Sequence, residues 1–152
     1  MKPFSSTIPL IKMDKQNRLH VIKLLNDISI ENVKEALRLL WNSEPGPESA
    51  ASMEVVVGQN VAKCSRTNRA CTNGRTLWIS LSMFEGENAP TEHEIGFKLP
   101  RVVKPGTIVI LHEFAHLLMG HPYDPVTTKD NKERIVDTWA KKFVEPFNDD
   151  DE

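Results

Sequence analysis

The sequence predicts an α+β domain in which a small, mostly antiparallel sheet packs against one apolar helix and the C-terminal helix that follows it. Three observations carry that expectation. Apolar residues recur at helical spacing before residue 41 and again after residue 128, the pattern of helices with one face on a core. Between residues 53 and 99 they change to short β-branched runs and strict alternation, the period of a half-buried strand. The stretch Ile108 to Leu118 is apolar except at His112, Glu113 and His116, so three ionisable groups interrupt an otherwise buried helix.

At 152 residues, 39% apolar and 26% charged, the chain has room for one real core and hardly for two. Residues 1–13 read as a flexible arm in which Pro3 and Pro9 discourage helix, residues 14–147 as a single domain, and residues 148–152 as an acidic tail. The formal net charge of −2 comes without a basic stripe, so nucleic acid is not an expected partner. The N-terminus lacks the apolar segment of a signal peptide, and no apolar run is long enough to cross a bilayer. Two cysteines are too few for a secreted disulfide framework. The expectation is a cytoplasmic protein with no membrane partner, and oligomeric state is left open. Cys64 and Cys71 read as two free thiols, with a loop-closing or redox-formed disulfide as the alternative.

The elements follow in order. A first helix is expected from Asp14 to about Asp27, with Leu19, Ile22 and Leu25 on its apolar side and His20 at the surface. Ser29 is a good N-cap for a second, Ile30 to Trp41, whose stripe is Val33, Leu37, Leu40 and Trp41. Pro45-Gly46-Pro47 stops it. Strands are expected at Met53–Val57, Asn60–Cys64 and Arg75–Ser82, the last after a turn at Asn73-Gly74, and Glu94–Leu99 alternates again. Thr107 reads as the N-cap of the apolar helix and Gly120 as its left-handed stop. A final helix should begin near Thr128 to Asp130 and run to about Val144, with Ile135, Val136, Trp139, Ala140, Phe143 and Val144 inward.

The chemistry lies in the apolar helix. His112 and His116 are four apart, which places two imidazoles on one helix face, one turn above the other. That spacing suits one metal ion, and Glu113 beside the first His can reach a water on it as general base. Histidines merely satisfied within a core are the plain alternative. Buried ionisable groups need compensation, however, and a metal supplies it.

A catalytic zinc site usually has three protein ligands and an open position. Glu133, 17 residues beyond His116, is the first candidate for the third ligand, with Asp137 one turn on to orient a ligating His. His121 is the rival, and Asp124 and Asp137 are further alternatives. His121 and Tyr123 leave the helix together and are candidate donors to a tetrahedral oxyanion.

The stretch His112-Glu113-Phe114-Ala115-His116-Leu117-Leu118-Met119-Gly120-His121-Pro122 resembles the signature helix of the ImmA/IrrE-type metallopeptidases. Glu133, Val136-Asp137, Trp139-Ala140, Phe143-Val144 and Pro146 match their following helix in register, so the likeness covers about residues 107 to 146. Ala115 stands where that family commonly has Gly, and Asp137 where it has Asn. The resemblance implies a zincin-like fold, Zn2+ held by His112, His116 and Glu133, and Glu113 as catalytic base. It also implies a regulatory intracellular protease of the kind found in bacteria and their phages or mobile elements, acting on a peptide or protein substrate such as a transcriptional repressor. The alternative is a catalytically silent, zinc-stabilised protein that binds a partner through its sheet edge. Arg75–Ser82 is the expected edge strand for substrate, and the polar loop 86–92 is an expected lid or specificity loop.

Overall fold

The structure, a computed structural model, describes residues 8, 11–43, 53–63 and 68–148. Among these are five α-helices and a three-stranded sheet: α1 (Lys15–Asn26), α2 (Ile30–Ser43), β1 (Glu54–Gly58), β2 (Ala70–Asn73), β3 (Thr76–Ser80), α3 (Glu92–Ile95), α4 (Pro105–Leu118) and α5 (Lys129–Val144). Helix α4 is the centre of the molecule, since α1, α3, α5, β2 and β3 all pack on it.

The long helices form where local signals put them. The Asp14 carboxylate accepts from the Asn17 N–H, the Ser29 hydroxyl from Asn32, and the Thr128 hydroxyl from Asn131, so three side-chain caps open α1, α2 and α5. Gly120, at φ 71, ends α4 in the left-handed region. Val21, Ile22 and Leu25 of α1 meet Val33, Leu37 and Leu40 of α2, all fully buried. An aromatic series then crosses the helices: Trp41 stands edge-on to Phe114 at 6.3 Å, Phe114 lies 5.9 Å from Trp139, and Trp139 stacks on Phe143 at 5.4 Å.

Helix α4 begins differently from the expectation. Its N-cap is Lys104 with Pro105 at the first turn, and no side chain of the segment caps it. Thr107 lies inside the helix, fully buried. The cap comes from α1 instead: Asn26 Oδ1 accepts from the Lys104 N–H at 3.1 Å and the Thr107 hydroxyl at 2.6 Å, while Asn26 Nδ2 donates to the Val102 carbonyl at 2.6 Å. Gly106 allows the close approach, for a Cβ there would stand 3.2 Å from the Phe84 ring and 3.4 Å from Ile28. Ile28, in the α1–α2 link, holds φ 49, an uncommon conformation for a β-branched residue.

The sheet departs furthest from the expectation. It is mixed rather than mostly antiparallel, in the order β1-β3-β2, with β1 parallel to β3 and β2 antiparallel to it. The strand expected at Arg75–Ser82 is therefore central and offers no edge for a peptide. Strand β2, not expected from the sequence, forms because the two-residue turn Gly74-Arg75, with Gly74 at φ 60, folds Asn73 back onto Thr76. Residues 59–63 make bends and a turn instead of a strand. They are tied to the end of β3 by Ser82 N–H to the Gln59 carbonyl and Val61 N–H to the Ser80 hydroxyl. Residues 94–99 are not a strand either. Thr91 caps Glu94, one turn of helix follows, and Gly96 at φ 91 ends it. Cys64, the loop between the cysteines through residue 67, most of the N-terminal arm and the acidic tail beyond residue 148 lie outside the described residues.

Candidate metal centre

Two packed helices bring the ionisable groups together. His112, Glu113 and His116 present ligand atoms all within 4.8 Å of one another. From α5, Glu133 sets its carboxylate across both imidazoles, with Oε1 3.3 Å from His112 Nε2 and Oε2 2.6 Å from His116 Nε2. Both Nε2 atoms thus converge on one place. The side chains of His112 and His116 are 20% and 13% exposed and that of Glu133 45%, so the cluster sits in a cleft that solvent reaches from the α5 side.

Each imidazole is also held from behind. His112 Nδ1 donates to Asp137 Oδ1 at 2.8 Å, and His116 Nδ1 lies 2.8 Å from His121 Nδ1. Asp137, an expected orienting partner of a ligating His, is the group that meets His112 Nδ1. Among the four candidates for a third ligand, Glu133 is the one that reaches the Nε2 side. Asp137 and His121 lie behind the rings, while Asp124 Oδ1 accepts from the Val126 and Thr127 N–H groups at 2.9 and 3.1 Å.

The two expected oxyanion donors have other partners. His121 is buried against His116 rather than standing on the rim. The Tyr123 hydroxyl faces the β2–β3 turn, 3.0 Å from where a Cβ would stand on Gly74, although the residue is largely exposed.

Charges in the cleft shift one another. Burial, then the nearby Glu133 charge, pushes Glu113 up to about 7 against the opposing pull of His112. Burial depresses His112, yet the Asp137 hydrogen bond and the Glu113, Glu133 and Asp137 charges outweigh it, and its net shift is upward. His116 is held below its usual value by burial and by His112, and His121 is lowered to about 4 by burial, His116 and Lys132.

Comparison with protein-family models, curated proteins and solved structures returns no match to this chain. The geometry stands by itself: His112, Glu113 and His116 form a half-buried group that could hold a metal ion, with the Glu133 carboxylate set across both Nε2 atoms.

Several participants gave no sequence signal. Lys132 Nζ donates to the carbonyls of His121 at 3.2 Å and Asp124 at 2.7 Å, locking the turn after α4 onto α5. One hollow of the cleft is lined by Asn68, Arg69, Ala70, Glu94, Ile95, His112 and Glu113, and another by Thr72, Asn73, His116, His121 and Pro122. Strand β2 runs between them. The loop expected as a lid is pinned: Arg69 donates to the Met83 and Asn88 carbonyls and pairs with Glu94. No helix among the described residues is long and apolar enough to cross a membrane.

Proposed function

We propose that this chain is a zinc-dependent metallopeptidase, with His112, His116 and Glu133 holding the metal and Glu113 as catalytic base. The observation that carries the reading is the convergence of two Nε2 atoms and a carboxylate, from two packed helices, beside a half-buried Glu113. Two imidazoles and a carboxylate form a donor set suited to zinc, with room left for water. The 3.3 Å between His112 Nε2 and Glu133 Oε1 is close to the roughly 3.3 Å separating two ligands of one tetrahedral zinc. Both Nδ1 atoms are engaged, which leaves Nε2 as the metal-facing atom of each ring. The pairing of α4 with α5 is consistent with a zincin-like fold of the two-His, one-Glu kind, and the resemblance to ImmA/IrrE-type peptidases over residues 107 to 146 supports it.

When bound, zinc supplies Lewis acidity to a water and to the scissile carbonyl. Glu113 accepts the proton of the attacking water and delivers it to the leaving amine. In the metal-free cleft burial holds that carboxyl at about 7, and a bound cation would draw it back towards the ionised form that a general base needs. Asp137 holds the His112 ring in place and stabilises its Nδ1–H. The cleft beside β2 suits an extended peptide. Arg69 O accepts from the Ser80 N–H, so in an antiparallel ladder Cys71 and Asn73 also pair inward. Ala70 and Thr72 then turn their N–H and C=O groups outward, where a peptide can add as a further strand. A regulatory protein with an exposed extended segment, such as a transcriptional repressor, is a substrate of that kind.

The test is hydrolysis of a mixed peptide library by the full chain loaded with zinc, read by mass spectrometry, with Glu113→Gln beside it. The expected result is cleavage that falls about 10²- to 10⁴-fold in the variant at unchanged zinc content. A zinc-loaded wild type that cleaves nothing would move the reading to a silent, metal-stabilised binding protein.

A further inference from the structure

The two ligand imidazoles are the same residue on the same face of one helix, yet different groups hold them. His112 Nδ1 meets the carboxylate of Asp137, on a neighbouring helix. His116 Nδ1 meets the Nδ1 of a third imidazole, His121, at 2.8 Å. A contact of that length between two ring nitrogens needs one proton between them. If His116 offers Nε2 to a metal as a neutral ligand, its own proton sits on Nδ1. His121 must then present a bare Nδ1 and keep its proton on Nε2.

We propose that His121 is a positioning residue of the metal centre, fixing the orientation and tautomer of His116 as Asp137 does for His112; this rests on the metallopeptidase reading above. The surroundings of His121 suit a fixed acceptor. Its side chain is almost fully buried, and the ring packs 5.1 Å from that of His116. Its backbone is anchored twice: Gly120 turns the chain at φ 71 immediately before it, and Lys132 Nζ grips its carbonyl. Lys132 adjoins Glu133, so α5 sets the third ligand and the support of the second from consecutive residues. The circuit closes on itself, running His116, His121, Lys132, Glu133 and back to His116 Nε2. A neutral imidazole also withdraws the ligand's Nδ1 proton less than a carboxylate does, which makes His116 a less electron-rich ligand than His112.

The experiment measures zinc dissociation constants of the full chain by competition with a chromogenic chelator, for wild type, His121→Phe and His121→Asn. Phe keeps a ring but no acceptor, whereas the Asn amide oxygen stands where Nδ1 stood. The expected result is affinity about 10- to 100-fold weaker in His121→Phe and within a few-fold of wild type in His121→Asn. Melting temperatures of the metal-free chains separate packing from positioning. Equal loss of affinity in both variants, in step with an equal drop in metal-free Tm, overturns the proposal. So does wild-type affinity in His121→Phe. A second readout needs no variant: long-range 1H–15N spectra of the zinc-loaded wild type should place the His121 proton on Nε2, and a proton on its Nδ1 overturns the assignment. A wild type that binds no zinc fails the metallopeptidase reading itself, whereas zinc binding with His121→Phe unaffected fails only the role of His121.

Discussion

Two helix pairs hold most of the α-helix among the described residues, and they close on different contents. Helices α1 and α2 meet through Val21, Ile22, Leu25, Val33, Leu37 and Leu40, all without exposure, and none of the buried polar residues lies on either helix. Helices α4 and α5 bury Phe114, Val136, Trp139, Ala140 and Phe143 just as completely. Along one side of their contact, however, they set His112, His116, Glu133 and Asp137 against one another. The first pair is a support whose interest is packing alone. The second gives up part of its apolar contact to a cluster of ionisable groups paired with one another and able to hold a metal ion, a local conflict typical of functional sites.

The contrast can be broken by single substitutions, and the largest effect is expected at the metal. On the proposed reading, Glu133→Ala should weaken zinc binding beyond the roughly 10- to 100-fold that loss of an outer partner costs. The metal-free Tm should stay level, because the lost carboxylate is half-exposed and serves the cluster rather than the core. A fall in metal-free Tm comparable to that of a core truncation would make the α4–α5 cluster a stabilising network. Leu37→Ala is the mirror experiment. It should cost about 2–5 kcal/mol of unfolding free energy in urea, while each folded chain still takes up zinc with wild-type affinity. Loss of affinity along with stability would join the two pairs into one unit.

Asn26 sharpens the comparison, because it is where the supporting pair grips the functional one. Asn26→Ala removes the acceptor for Lys104 N–H and Thr107 hydroxyl together and should cost about 1–2 kcal/mol. Hydrogen exchange should quicken first in the opening turn of α4, and zinc affinity should change little. A uniform increase along all of α4 would show that this helix depends on the clasp along its whole length.

Much of the helical framework was legible because its signals are local. Asp14, Ser29 and Thr128 cap through a backbone N–H three residues on, and Gly120 stops α4 by its own conformational freedom. The segment 94–99 was misread although a local signal existed. Thr91 followed three residues later by Glu94 is a capping pattern, and alternation over so few residues is weaker than that. The sheet was harder. Nothing in Glu54–Gly58 says that its partner is Thr76–Ser80 in parallel, or that the short polar run before Gly74 becomes an outer strand. Strand pairing is decided between segments, and a central strand and an edge strand can share one pattern.

The sequence by itself determined the donor chemistry: helical periodicity places His112 and His116 on one face, and Glu113 beside them follows from adjacency. Only the tertiary structure decided which carboxylate faces the two Nε2 atoms, because Asp137 and Asp124 stay open beside Glu133 until two helices pack. It alone turned His121 inward onto His116 and brought Asn26 to the start of α4, across 81 residues of chain. Periodicity and capping act within a turn or two of backbone, whereas the partner of a buried ring nitrogen is set by whichever surface the packing of the core delivers to it.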